Sequence, residues 1–193
     1  MPTDRNTPWP LEADDLTRLL ARVGEGVDFR EAFEELLCDL PLVRAEHLML
    51  LVRQGRSAWM PMLRTRRGRA LVIGNAFSGA GAGLAFAGWD VVLCDDQPDR
   101  LAFAGARARG LELSMGLELL NGRERLPYAD ESFDLVVRDG ACGATVQELA
   151  RISRGEVVLI VDNRYGYKRS TGVHGEFQVR RPGEYLKSVI TGE

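Results

Sequence analysis

Apolar positions in the first third of the chain recur at helical spacing. Leu16, Leu19, Leu20 and Val23 fall three or four apart, and Phe29, Phe33, Leu36 and Leu37 repeat the pattern. A third set, Leu42, Ala45, Leu48, Met49 and Val52, lies within the stretch from Pro41 to Gln54. Three amphipathic helices are expected, from Leu11 to Val23, from Asp28 onward, and from Pro41 to Gln54. Asp28 is placed to cap the second, and Glu31 completes a capping-box pattern three residues later. Residues 1–10, with three prolines, read as a loosely attached start.

At Gly68 the pattern changes to short apolar runs separated by helical segments. Ala70 to Ile73 is continuously apolar, as in strands buried on both faces of a parallel sheet. A Gly/Ala-rich stretch from Gly74 to Gly83 follows, then a helix over Leu84 to Ala87. Val91 to Cys94 reads as a second strand ending in Asp95-Asp96, and Leu101 to Arg109 as a helix stopped by Gly110. Leu111 to Leu113 is assigned a short strand, and residues 114–132 are read as irregular. Phe133 to Val137, a helix over Val146 to Ile152, and Val157 to Val161 complete the alternation. Beyond Asp162 the pattern offers only Phe177 to Val179 and a helix over Pro182 to Ile190.

Alternating strands and helices imply right-handed βαβ units. The fold class expected is α/β: a Rossmann-like, doubly wound, mostly parallel sheet with a helical N-terminal region. Residues 1–65 form the helical region or cap, and 66–193 the α/β domain. A strand left at an open edge invites pairing, so a homodimer or a partner protein covering the sheet edge is expected.

Composition narrows the function classes. A hydrophobic fraction of 45% and a charged fraction of 27% are ordinary for a globular protein. The net charge of -3 disfavours nucleic acid as a partner. No run of about 18 apolar residues suggests a membrane span, and the N-terminus lacks a signal-peptide pattern, so the expected location is cytoplasmic. Cys38, Cys94 and Cys142 form no CxxC pair, and His47 and His174 have no metal-ligand spacing; no metal is expected.

The candidate chemistry gathers at strand carboxyl ends, where doubly wound sheets bind ligands. Gly74, Asn75, Ala76, Ser78 and Gly79 form a small-residue turn that lets backbone approach a ligand closely. The same glycines would also suit close packing of helix on sheet. Asp95, with Asp96 beside it, stands about twenty residues after Gly74, the spacing at which an acid reaches ribose hydroxyls. Asp95 as a plain helix cap is the competing reading. Arg138, Asp139, Asn163 and Tyr165 follow the later strands and are acceptor-side candidates, although turn and surface-charge roles suit the same residues. No catalytic residue is singled out.

Several segments in register resemble class I S-adenosylmethionine (SAM)-dependent methyltransferases. Leu71-Val72-Ile73-Gly74, Leu84 to Val91 and Asp95 look like the family's first two motifs. Arg125 to Val137, reading RLPYADESFDLVV, is similar to its "LPFPDESFDLVV" stretch. Glu148 to Gly155 with Val158 to Val161 looks like "ELARVLRPGG…LVLV", and Asp162 to Lys168 resembles an "ENRxGxK/R" element of some bacterial members. The resemblance covers roughly residues 68–170. It implies SAM as cofactor, methyl transfer to a small-molecule or sugar-linked acceptor, and adenine contacts near Asn121 and Gly122. The chain departs from the pattern at Val72, where the family has an acid, and at Ala76 and Ser78, where it has glycines. Gly122 stands where an adenine-contacting acid is usual. Those departures leave an alternative open: a catalytically inactive methyltransferase-like protein serving as a structural or regulatory partner. A nicotinamide-dependent enzyme fits less well, for want of a clean GxGxxG.

Overall fold

The computed structural model describes residues 11–52, 59–65, 67–120, 124–140 and 142–160, without the side chains of His47, Leu50 and Leu51. Three helices come first: α1 (Ala13–Gly24), α2 (Phe29–Asp39) and α3 (Leu42–Val52). Asp28 caps α2 by accepting the Arg30 N–H at 2.8 Å. The capping box expected there is found instead at α1, where the Asp15 carboxylate reaches back to the Glu12 N–H at 3.2 Å.

Strands and helices then alternate: β1 (Arg69–Ile73), α4 (Ala80–Phe86), β2 (Asp90–Asp95), α5 (Pro98–Gly110), β3 (Met115–Leu119), β4 (Phe133–Asp139), α6 (Val146–Ile152) and β5 (Ser153–Ile160). The five strands form one sheet in the order β3-β2-β1-β4-β5, every neighbouring pair parallel. This is the Rossmann-like architecture the sequence implies. Among the described residues β3 and β5 lie at its edges; the expected elements at Phe177–Val179 and Pro182–Ile190 lie outside them.

Strand side chains alternate between two apolar layers, as a period of two requires. Val72, Val91, Leu93, Leu135 and Val137 meet α4 and α5 on one face. Leu71, Ile73, Val92 and Val136 meet α6 through Leu149 and Ile152 on the other. Helix α5 is buried on two sides. Leu101 and Ala104 face the sheet, while Phe103 and Ala106 join a separate cluster with Leu16, Leu19, Phe29 and Leu48 of the helical region. A layer of α1–α3 therefore rests on α5, and through it on the sheet.

Two assignments need correction. Leu111 to Leu113 is not a strand: the Leu113 N–H closes onto the Ala108 carbonyl at 2.8 Å, and Glu112 adopts φ 53°. The strand is β3, inside the stretch expected to be irregular. Helix α4 begins at Ala80 rather than Leu84, because Gly81 and Gly83 are accommodated within it; a Cβ at Gly81 would come within 3.2 Å of Leu93.

Candidate functional site

The turn between β1 and α4 and the end of β2 meet at the carboxyl edge of the sheet. Gly74 leaves β1 with φ 116°, a conformation that disfavours any Cβ, and its N–H bonds the Cys94 carbonyl at 3.1 Å. Asn75 then organises the turn: its Oδ1 accepts the Phe77 N–H at 3.2 Å and its carbonyl the Ser78 N–H at 3.1 Å. Ser78 Oγ accepts the Ala80 N–H at 3.4 Å. Ala76, Phe77 and Ser78 are all buried, and the Phe77 ring lies 4.3 Å from that of Phe103 on α5. Much of the turn's hydrogen-bonding capacity is thus satisfied internally.

Asp95 is the hub. One carboxylate oxygen accepts the Ala76 N–H at 2.7 Å, and the other the Gln97 N–H at 2.9 Å, with Arg100 at 3.7 Å. Its side chain has no exposed surface. Burial raises its carboxyl above the usual range, opposed by the two N–H bonds and by Arg100. Asp95 therefore ties the turn after β1 to the entry of α5. Neither the cap reading nor the ribose reading alone anticipated this clasp.

Asp96 is exposed beside it and accepts the Gln97 side-chain amide at 3.3 Å. Arg138 and Asp139 end β4. Asp139 is fully buried; Arg138 is partly exposed, its buried Nε without a hydrogen-bond partner among the described residues. Burial raises the Cys142 thiol pKa, with the charges of Arg138 and Asp96 acting on it in opposite directions. Asn121, Gly122, Asn163 and Tyr165 lie outside the described residues. Val72 is wholly buried in the core.

Two polar groups near the turn escaped sequence reasoning. Tyr128, in the RLPYADES stretch, donates to Glu118 at 2.6 Å and lies 3.2 Å from the Cys94 sulfur. Burial pushes the Cys94 thiol up to about 12 and raises the Tyr128 hydroxyl as well. Buried Arg107 reaches the Ser78 carbonyl from α5. A faint signal existed for it, since Arg107 stands four residues after Phe103 on a helix whose small residues mark buried faces.

No protein-family model matches the chain, and no curated protein matches it in sequence. Solved structures do. The likeness is one of fold. A candidate S-adenosyl-L-methionine-dependent methyltransferase from Methanococcus maripaludis is 16% identical, with a TM-score of 0.47 over 53% of this chain and 52% of that one. A SAM-dependent methyltransferase from Methanosarcina mazei is 17% identical, with a TM-score of 0.48 over 70% of this chain and 82% of that one. A candidate sarcosine dimethylglycine methyltransferase from Galdieria sulphuraria is 16% identical, with a TM-score of 0.47 over 82% and 64%. The chain spans about half the length of the Methanococcus protein. Among the described residues, no helix is long and apolar enough to cross a membrane.

Proposed function

We propose that this chain is a SAM-dependent methyltransferase acting on a small-molecule or sugar-linked acceptor. The observation that supports the reading is the all-parallel sheet, which brings the small-residue turn after β1 and the acids Asp95 and Asp96 after β2 to one carboxyl edge. Doubly wound sheets bind nucleotide-like ligands beyond the strand carboxyl ends, near the switch in strand order, and the order β3-β2-β1-β4-β5 supports the same location here.

The residues fit such a cofactor in part. Gly74 supplies a turn after β1 at φ 116° with no Cβ, and Asp96 offers an exposed carboxylate. Asp95 as it stands is sealed, so contact with ribose hydroxyls would require release of one of its N–H partners. SAM, when bound, supplies an electrophilic methyl group. The chain's own contribution is to hold the turn in place and to present Arg138 at the end of β4 for orienting an acceptor; positioning of this kind supplies much of the rate of a transfer reaction.

One observation favours the second reading, a non-catalytic methyltransferase-like partner protein. The clasp around Asp95, together with Val72 in the core, leaves fewer groups for cofactor than the family pattern has. Calorimetric titration with SAM and S-adenosylhomocysteine separates the two. Micromolar binding, weakened by Asp95→Asn or Asp96→Asn, supports the enzyme. No heat at millimolar ligand with folded protein overturns it and leaves the partner-protein reading.

A further inference from the structure

Arg107 is a buried cation that the proposed chemistry does not use. It is 5% exposed on α5, and among the described residues no carboxylate pairs with it. Desolvation lowers its pKa to about 10. Its guanidinium donates instead to two carbonyls from separate parts of the chain. Nη2 meets the Val52 oxygen, at the last residue of α3, at 2.9 Å; Nη1 meets the Ser78 oxygen, in the glycine turn, at 3.4 Å.

One helical turn earlier, the Phe103 ring makes a parallel pair of connections, to the turn and to α2. It lies 4.3 Å from Phe77 of the turn and 5.6 Å from Phe29 of the helical region. Residues four apart share a helix face, so α5 presents an apolar and a polar grip side by side, both reaching the turn, the first also α2 and the second the end of α3. The last carbonyls of a helix lack intrahelical donors, and a cation there is favourable. An arginine fork can serve two acceptors at once and stays charged when buried; a lysine has a single nitrogen to place between them. Loss of Arg107 strips a donor from both carbonyls together.

We propose that Arg107 is a positioning residue that makes order in the glycine turn and docking of the α3 carboxyl end a single equilibrium. A ligand that closes on the turn then tightens the helical region, and undocking of α3 loosens the turn, by the reciprocity of linked equilibria. Only the identity of the ligand rests on the preceding proposal; the coupling itself does not.

Amide hydrogen exchange on the intact protein, read peptide by peptide, tests it without ligand. Arg107→Met should speed exchange about tenfold in residues 74–80 and in the last turn of α3, with β1 and β4 unchanged. Arg107→Lys should lie between the two. Leu48→Ala, a change in α3 at a wholly buried site, should speed exchange of the turn in the native background and do so clearly less in the Arg107→Met background, where only the apolar contacts of Phe103 still join the turn to the helical region. Equal effects of Leu48→Ala in both backgrounds overturn the proposal, as does a response confined to one segment. Should Arg107→Met fail to fold, the same comparison in the Arg107→Lys background decides, with a reduced Leu48→Ala effect expected and an undiminished one refuting. S-adenosylhomocysteine is then added: protection of both segments in native protein, and of the turn alone in the variant, is the expected result. Absence of binding with the exchange coupling intact would sink the cofactor reading and leave this one standing.

Discussion

Replacing Asp95 by alanine separates a structural clasp from a carboxylate held ready for ligand. In the native fold the side chain is sealed and accepts the N–H groups of Ala76 and Gln97 at 2.7 and 2.9 Å. Alanine leaves the Ala76 N–H buried without its acceptor, a loss of about 1–3 kcal/mol. The Gln97 N–H is partly exposed and can turn to water, so its loss adds about 0.5–1 kcal/mol. Against this, the fold no longer carries a desolvated charge, the effect that raises the Asp95 pKa. A net destabilisation of about 2 kcal/mol is expected, which at an m-value of about 2 kcal/mol/M lowers the urea midpoint by about 1 M. Asparagine keeps one carbonyl for Ala76 and carries no charge, and it should cost less than half as much. Urea unfolding followed by tryptophan fluorescence reads both variants. An Asp95→Ala midpoint within about 0.3 M of the native value, at unchanged slope, would refute the clasp.

Acid sensitivity should come from two other carboxylates. The Arg154 guanidinium, with the Arg69 N–H, holds Asp134 down to about 2, and the Arg151 guanidinium, with the Leu126 N–H, does the same for Glu148. A carboxyl depressed in the folded state stabilises above its unfolded pKa, about 4, and loses that contribution as pH falls towards 2. Asp134→Asn and Glu148→Gln should therefore flatten the fall of melting temperature between those pH values, and an unchanged slope would count against both pairs. At Gly110 an added Cβ would overlap that of Phe29, and overpacking of about 1–3 kcal/mol outweighs the helix-propensity gain of up to about 1 kcal/mol from alanine. Gly110→Ala should lower the melting temperature by a few degrees, and a rise would show that α2 does not press on α5 there. Thiol labelling at pH 8 should modify Cys38 rapidly and Cys94 only on unfolding, since Cys38 is exposed and burial lifts the Cys94 thiol to about 12. Rapid labelling of Cys94 in the folded protein, read by peptide mapping, would contradict this burial.

The central strands were legible because burial on both faces writes an unbroken apolar run, as in Ala70 to Ile73 and Val91 to Cys94. The edge strand was not. Leu111-Glu112-Leu113 and Leu117-Glu118-Leu119 carry the same alternation, and only the first is consumed in closing α5. Local pattern holds no information to choose between them; the pairing of Val91 with Met115 does. At the site, the spacing from Gly74 to Asp95 foretold their proximity. It did not foretell the burial of the carboxylate, because its partners are backbone N–H groups that no side-chain pattern announces. Arg107 escaped for the related reason that its acceptors are carbonyls, with no acid in the sequence to suggest a pair.

The central place of β1 also governs how the chain emerges during synthesis. Its neighbour on one side, β2, follows after a short helix, but its neighbour on the other, β4, begins only at Phe133. At about 5–20 residues per second, the 64 positions from Arg69 to Phe133 take about 3–13 s to translate. For that interval one edge of a strand that is apolar from Ala70 to Ile73 has no partner. The early helices and α5 are complete before β4 exists, so their packing is available to shelter the nascent half-sheet while the ribosome finishes the rest.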